Sequence, residues 1–241
     1  MVYFAILLLI SSAIIYFINF LLFQNINEEL FLLVEELAFL PISVLVVTLI
    51  IDRLLKEQDK RSRLDKLNMV IGAFFTDVGT ELLKSFIQFD SKVNIIRPAM
   101  QIGTNWKEHD FESAKSALNG EQAAIICRTN DLEDLKEFMT KKRDFLLRLL
   151  ENPNLLEHES FTDLLWAVTH VIEELISRRD LNQLTKEDSD HIVNDIKRAY
   201  LILVSQWLDY MKHLNSRYPY LYSLSVRTNP FNSNAKAEIG F

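Results

Sequence analysis

The sequence predicts an all-α protein: a two-helix transmembrane hairpin followed by a cytoplasmic helical bundle. Three observations predict it. Apolar residues crowd the N-terminal end, whereas nearly all charged residues follow Arg53. Only 5 glycines and 5 prolines occur in 241 residues, too few chain breakers for a many-turned β architecture. Beyond the N-terminal end, apolar side chains recur at three- and four-residue steps, the period of an amphipathic helix.

The first predicted span is Met1 to Phe23, which carries no charged side chain. A cleaved signal peptide needs a basic leading region and a short apolar core. Here the basic region is missing and the apolar run continues to Phe23, so the segment is expected to be retained as a helix. Ser11, Ser12 and Ala13 form a small-residue patch, a feature that lets helices approach closely. Residues 24–29, QNINEE, suit a tight extracytoplasmic turn.

The second span is the stretch around which the chain is organised. Leu30 to Ile51 is ~22 residues, which as a helix reaches ~33 Å, enough to cross a ~30 Å hydrocarbon core. Glu35 and Glu36 interrupt it near its start, and Pro41 removes a backbone donor and permits a kink. A carboxylate in hydrocarbon is costly, roughly 2.5–3.5 kcal/mol at the centre on insertion scales. Two placements satisfy this cost: headgroup depth at the span's outer end, or a polar path for cations in an oligomer.

Arg53, Lys56, Lys60, Arg61, Arg63 and Lys66 follow the second span, and the turn before it has no Lys or Arg. Orientation follows that asymmetry, which predicts both termini in the cytoplasm and the lipid bilayer as a partner. Asp52, Glu57, Asp59 and Asp65 are interspersed, at spacings that also suit ion pairs along a helix. The expected organisation is a hairpin over 1–55, a helical domain over 56–228 and a flexible tail over 229–241.

Within the domain, a helix is predicted from about 43 to 67, then another or a continuation to about 89. Its Phe-rich part, 67–89, is expected to pack in the bundle core, with the membrane surface as the alternative. Gly72 and Gly79 mark close contacts or a bend. Residues 90–104 read as a connection. Trp106–Leu118 reads as a short helix capped by Thr104 or Asn105, and 121–128 as either helical or extended. Asn130 is the expected cap of a helix over Asp131–Glu151, ended by Asn152-Pro153. Ser160 is the expected cap of Phe161–Ser177, and Thr185 with Asp188 resembles a capping box opening a helix over about 186–216. After Tyr218-Pro219, irregular or extended chain is expected.

Several chemistries are excluded by composition. There is one cysteine, Cys127, so no disulfide can form within the chain and no cysteine-based zinc site exists. Its apolar surroundings read as packing. No phosphate-binding glycine loop, nucleophile elbow or HExxH occurs, and a net charge of −7 argues against nucleic acid. No small-molecule cofactor is implied. One constellation carries chemistry: His170 with Glu174, and His191 with Asp195, each spaced i,i+4 on one helix face. If their helices form an antiparallel hairpin turning near 182, Glu174 falls opposite His191, and His170 opposite Asp195. Two imidazoles and two carboxylates can bind zinc or iron; surface His–acid pairing is the commoner use of such residues. His109, His158 and His213 show no partner pattern. Trp106, Trp166 and Trp207 read as core or interface residues.

The function expected is a non-enzymatic membrane protein whose helical domain associates with itself or with a partner protein. An oligomeric ion channel lined by the second span is the alternative. A membrane-tethered metal-dependent enzyme is a third.

Overall fold

The computed structural model describes residues 2–22, 28–120, 123–153, 155 and 158–238. The fold is all-helical, at 82% helix, with no strand among the described residues. The chain divides into two units, Met1–Leu64 and Asp65–Phe241.

The first unit contains α1, Val2–Leu22, and most of α2, which spans Glu28–Phe74. The expected turn at 24–29 lies largely outside the described residues; Glu28 and Glu29 already belong to α2. Among the described residues, the helix from Val34 onward is the one long and apolar enough to cross a membrane; its most apolar stretch has a mean hydropathy of 2.2 and only 6% of it is buried. The corresponding apolar stretch of α1, Ile6–Ile15, is shorter. Ser12 and Ala38 are buried, being 2% and 0% accessible, and the Ser12 Oγ donates to the Ala38 carbonyl at 2.6 Å. Small side chains let the two backbones come this close. Pro41 lies inside α2, which continues through it.

The second unit is built round the far end of α2 and the elements after it. A π-helical turn at Phe75–Gly79 joins α2 to α3, Thr80–Phe89, so the expected continuation to Phe89 is present, with a wider turn inserted. Leu67, Ile71, Phe74, Phe75, Val78, Leu82, Leu83, Phe86 and Phe89 are all buried, which places this Phe-rich stretch in the core rather than on a surface. Two consecutive rings at this turn are buried: Phe74 meets Phe161 edge-on at 5.3 Å, and Phe75 stacks on Tyr210 at 4.8 Å. Gly79 is needed there, because a Cβ would lie 2.6 Å from the Phe74 ring and 2.7 Å from that of Phe75.

A one-turn helix α4, Val93–Ile96, and a 3-10 turn at Arg97–Met100 follow. Asp90, 3% accessible, organises this corner. Its Oδ1 accepts from the backbone N–H groups of Lys92 and Ala124 at 3.0 and 3.1 Å. Asp90 also pairs with Ile125 as an isolated antiparallel bridge, so the described part of 121–128 is extended rather than helical.

Helix α5 runs Glu108–Gly120, two residues later than predicted, because Asp110 accepts from the Lys107 N–H and starts it there. Helix α6, Thr129–Leu150, takes Arg128 as its cap residue, with Asp131 accepting from the Arg128 N–H; Asn130 sits inside the first turn. Helix α7, Glu159–Ser177, is capped by the His158 Nδ1, which accepts from the Phe161 N–H, not by Ser160. After a 3-10 turn at Leu181–Gln183, α8 runs Lys186–Arg217 with Thr185 as the predicted cap. Asp188 does not complete a reciprocal capping box; its carboxylate is taken by Arg178.

Helix α8 is the centre of the unit: α3, α5, α7 and α9 pack against it, and α6 packs against α7. Its predicted stripe, Ile192, Ile196, Tyr200, Leu203, Trp207, Met211 and Leu214, is buried throughout. Up to Arg227 the chain after Tyr218 is not irregular but a helix, α9, Pro219–Arg227, with proline at a helix start where its missing donor costs nothing; from Thr228 to Glu238 it is irregular as expected. Part of the expected flexible tail is anchored. Phe231 is fully buried against Trp207, its carbonyl accepts from Arg97 and Gln101, and the Asn229 amide donates to the Met100 carbonyl. Residues 239–241 lie outside the described residues.

Gly79→Ala is expected to destabilise the helical domain by ~1–3 kcal/mol, the usual range for overpacking, since both Phe rings must move. Gly72→Ala meets only the edge of Tyr210 at 3.7 Å and is expected to be tolerated. Thermal melts of the two variants measured side by side check the contrast.

Candidate metal centre

The antiparallel packing of α7 against α8 brings the four sequence-predicted residues together. His170 and Glu174 lie one turn apart on α7, and His191 and Asp195 one turn apart on α8. One donor atom from each falls within 4.8 Å of the others. The Asp195 Oδ2 is at the centre, 3.2 Å from the His170 Nε2 and 3.4 Å from the His191 Nε2. Glu174 flanks both imidazoles, with Oε1 3.8 Å from the His170 Nε2 and Oε2 3.7 Å from the His191 Nε2. The rings stand nearly perpendicular, at 85°.

The burial of the four residues is graded. The Asp195 side chain is 3% accessible and that of Glu174 24%, while those of His170 and His191 are 45% and 53% accessible. A carboxylate is thus held at the base of a cluster whose imidazoles reach solvent. The Asp195 Oδ1 faces the Arg198 Nη2 at 3.2 Å. The Oδ2 is buried and accepts no hydrogen bond from any described group. Both imidazole Nε2 atoms lie within 3.4 Å of it.

Arg178 fixes the neighbouring carboxylates. Its Nη1 donates to Glu174 Oε2 and to the Glu174 carbonyl, both at 2.6 Å, while Nε and Nη2 grip Asp188. The Arg178 hydrogen bond holds the Glu174 carboxyl below its ordinary pKa against the upward pull of burial, aided by the charges of Arg178, His170 and His191. The separate hydrogen bonds from Arg178 to Asp188 keep that carboxyl low as well. Sequence reasoning missed Arg178; its position four residues after Glu174 was the signal for it.

The other candidates are placed as follows. Glu35 and Glu36 are exposed on α2, bordering a shallow groove with Leu32, Phe39, Leu40 and Ser43. Arg53, Lys56, Lys60, Arg61, Arg63 and Lys66 are all exposed. Lys56 pairs with Asp52 at 2.8 Å and Arg53 with Glu57 at 3.6 Å. Trp207 is core and Trp106 partly buried, whereas Trp166 is 60% exposed. A second groove, between α5 and α8, is lined by Glu108, Asp209, Lys212 and His213. Its charges are already matched, Lys212 with Glu108 and Glu112, and Asp209 with Lys115.

The fold is that of an all-α protein in two helical parts, and comparison with known proteins finds the same division. Residues 63–227 match the family described as "Uncharacterized protein MJ1433, C-terminal helical domain", and residues 1–55 match "MJ1433, N-terminal helical domain". The chain belongs to this MJ1433 family. It is 46% identical over 231 residues to the "Uncharacterized protein MJ1433" of Methanocaldococcus jannaschii, covering 96% of this chain and 93% of the relative. No solved structure matches the chain.

Cys127 takes no part in the cluster. Burial first, then the Asp131 charge, pushes its thiol up to about 12. A thiol raised this far is protonated at neutral pH and is a poor nucleophile. Folded protein at pH 8 is therefore expected to react with iodoacetamide far more slowly than the same protein in denaturant. Timed alkylation followed by mass spectrometry checks this.

Proposed function

We propose that the protein is an integral membrane protein in which a two-helix hairpin anchors a cytoplasmic helical domain that associates with itself or with a partner protein. The observation that carries the reading is the surface of α2. Leu40, Val47 and Ile50 are 54%, 54% and 55% exposed, and Leu37, Phe39, Val46, Leu49 and Ile51 are similarly open. Each half-exposed aliphatic side chain forgoes roughly 1 kcal/mol in water, and these lie on all sides of the helix. A helix that is apolar all round belongs in the interior of a large core or in lipid, and only 6% of this stretch is buried.

The hairpin is supported by the Ser12–Ala38 contact, where α1 meets α2 through small side chains. The orientation is supported by the exposed basic residues from Arg53 to Lys66 and by the absence of Lys and Arg from QNINEE. Their i,i+4 partners offset part of that charge, yet orientation follows Lys and Arg rather than net charge. Headgroup depth suits Glu35 and Glu36, which are solvent-facing near the outer end of the span. The association role rests on the lack of any catalytic constellation in the sequence beyond the His–acid cluster.

The full-length chain is expected to stay with the membrane pellet through an alkaline carbonate wash and to be released by detergent. A C-terminal epitope should be protected from protease added to intact cells. A freely soluble monomer, or an epitope cut from outside, overturns the reading. Ala38→Leu is expected to weaken the packing of α1 on α2 by ~1–3 kcal/mol, while Leu37→Ala, at an exposed position, is close to neutral. Melting in detergent compares the two.

A further inference from the structure

We infer that His170, Glu174, His191 and Asp195 form a site for a divalent first-row transition ion, zinc above all, that fastens α7 to α8. The inference is independent of the membrane reading. Its first support is distance. Ligand atoms about 2.0–2.1 Å from a tetrahedral zinc stand about 3.3–3.4 Å from one another. The two Nε2–Oδ2 separations, 3.2 and 3.4 Å, are the edges of such a tetrahedron. The Glu174 contacts, 3.7 Å from Oε2 to His191 and 3.8 Å from Oε1 to His170, come from its two oxygens, and the four donor atoms lie within 4.8 Å of one another, so Glu174 must move inward to complete the shell.

The second support is the state of Asp195. It is 3% accessible and its Oδ2 accepts no hydrogen bond from any described group, although two imidazole nitrogens lie within 3.4 Å. A buried carboxylate oxygen left so costs free energy unless something compensates it. If the imidazoles served only to pair with Asp195, one of them would direct its N–H at the oxygen. Instead the Oδ2 stands close to both ring nitrogens and is hydrogen-bonded by neither. Arg198 engages the opposite oxygen and leaves Oδ2 to face the cluster.

The donor set selects the ion. Two imidazoles favour zinc, iron, nickel or copper over magnesium or calcium, which prefer all-oxygen shells. Two carboxylates with no thiolate argue against a copper(I) site. Four protein donors fill a tetrahedral shell, which suits a structural rather than a catalytic ion. Glu174 is held by Arg178 in the manner of ligating carboxylates, which usually carry a hydrogen bond of their own. The exposed imidazoles leave an entry path from solvent.

The test uses full-length protein in detergent, stripped with chelator and then titrated with Zn2+ alone and, separately, Co2+ alone. The expected result is one ion per chain, with the intense visible absorption of tetrahedral Co2+. At a hundredfold excess over Kd, Zn2+ is expected to raise Tm by roughly 5–10 °C. His191→Gln, at a half-exposed position that cannot unfold the domain, and Asp195→Asn, a near-isosteric change, should each weaken binding ~100-fold or more. His109→Gln, an exposed imidazole on α5, should leave binding unchanged. Wild-type binding as weak as that of His191→Gln, a weak octahedral Co2+ spectrum, or an undiminished Zn2+ effect on Tm in Asp195→Asn would each overturn the inference.

Discussion

The apolar seam between α7 and α8 is the constraint on which the second unit depends. Phe161, Leu164, Leu165, Val168, Ile172 and Leu175 face Ile192, Ile196, Ala199, Tyr200 and Leu203, all essentially removed from water. Fully burying a Leu, Ile or Phe side chain is worth roughly 1.5–3 kcal/mol, so this seam outweighs any polar contact in the unit. Helix α8 also receives α3, α5 and α9, and Tyr200 within the same stripe meets Phe86 of α3 edge-on at 6.2 Å. The register of the seam also decides what stands beside it. With Ile172 and Ile192 sharing the core, the flanking positions 170, 174, 191 and 195 are forced to one edge. The polar cluster is thus a consequence of apolar packing and does not drive it.

That order of causes explains what was legible in the sequence. The helices α7 and α8 and their stripes follow from three- and four-residue periodicity, which reports burial directly. The meeting of His170 with Asp195, and of Glu174 with His191, follows from two i,i+4 pairs and one assumed turn. What periodicity does not encode is the chemistry at helix ends. His158 caps α7 with a ring nitrogen, and Arg128 occupies the cap position of α6 because Asp131 reaches back to its N–H. Neither is among the residue types that usually announce a cap. The anchoring of Phe231 was equally hidden, since it depends on Arg97 and Gln101, which lie far away in sequence.

The π-helical turn at Phe75–Gly79 shows the same limit more sharply. In an uninterrupted α-helix, successive residues point about 100° apart, so Phe74 and Phe75 meet different neighbours. The wider turn changes that angle locally, and both rings are buried. Thr80 steadies the turn by donating from both its backbone N–H and its Oγ1 to the Phe75 carbonyl. A two-ring pair followed by a glycine at short range is the sequence trace of this feature, and only the packing gives it meaning.

The two units differ in how they expose apolar surface, and that difference bears on function. In the second unit the large exposed apolar side chains include Met69, Ile95, Ile126, Trp166 and Ile176, scattered over the elements, and Tyr218, Tyr220, Leu221 and Leu224, gathered at α9. Singly exposed apolar residues are normal on a water-facing protein and call for no partner. From Leu37 to Leu55, by contrast, most large apolar side chains are about half exposed, with charged residues entering only at Asp52. The apolar part of α2 is long and apolar enough to cross a membrane, and only 6% of it is buried.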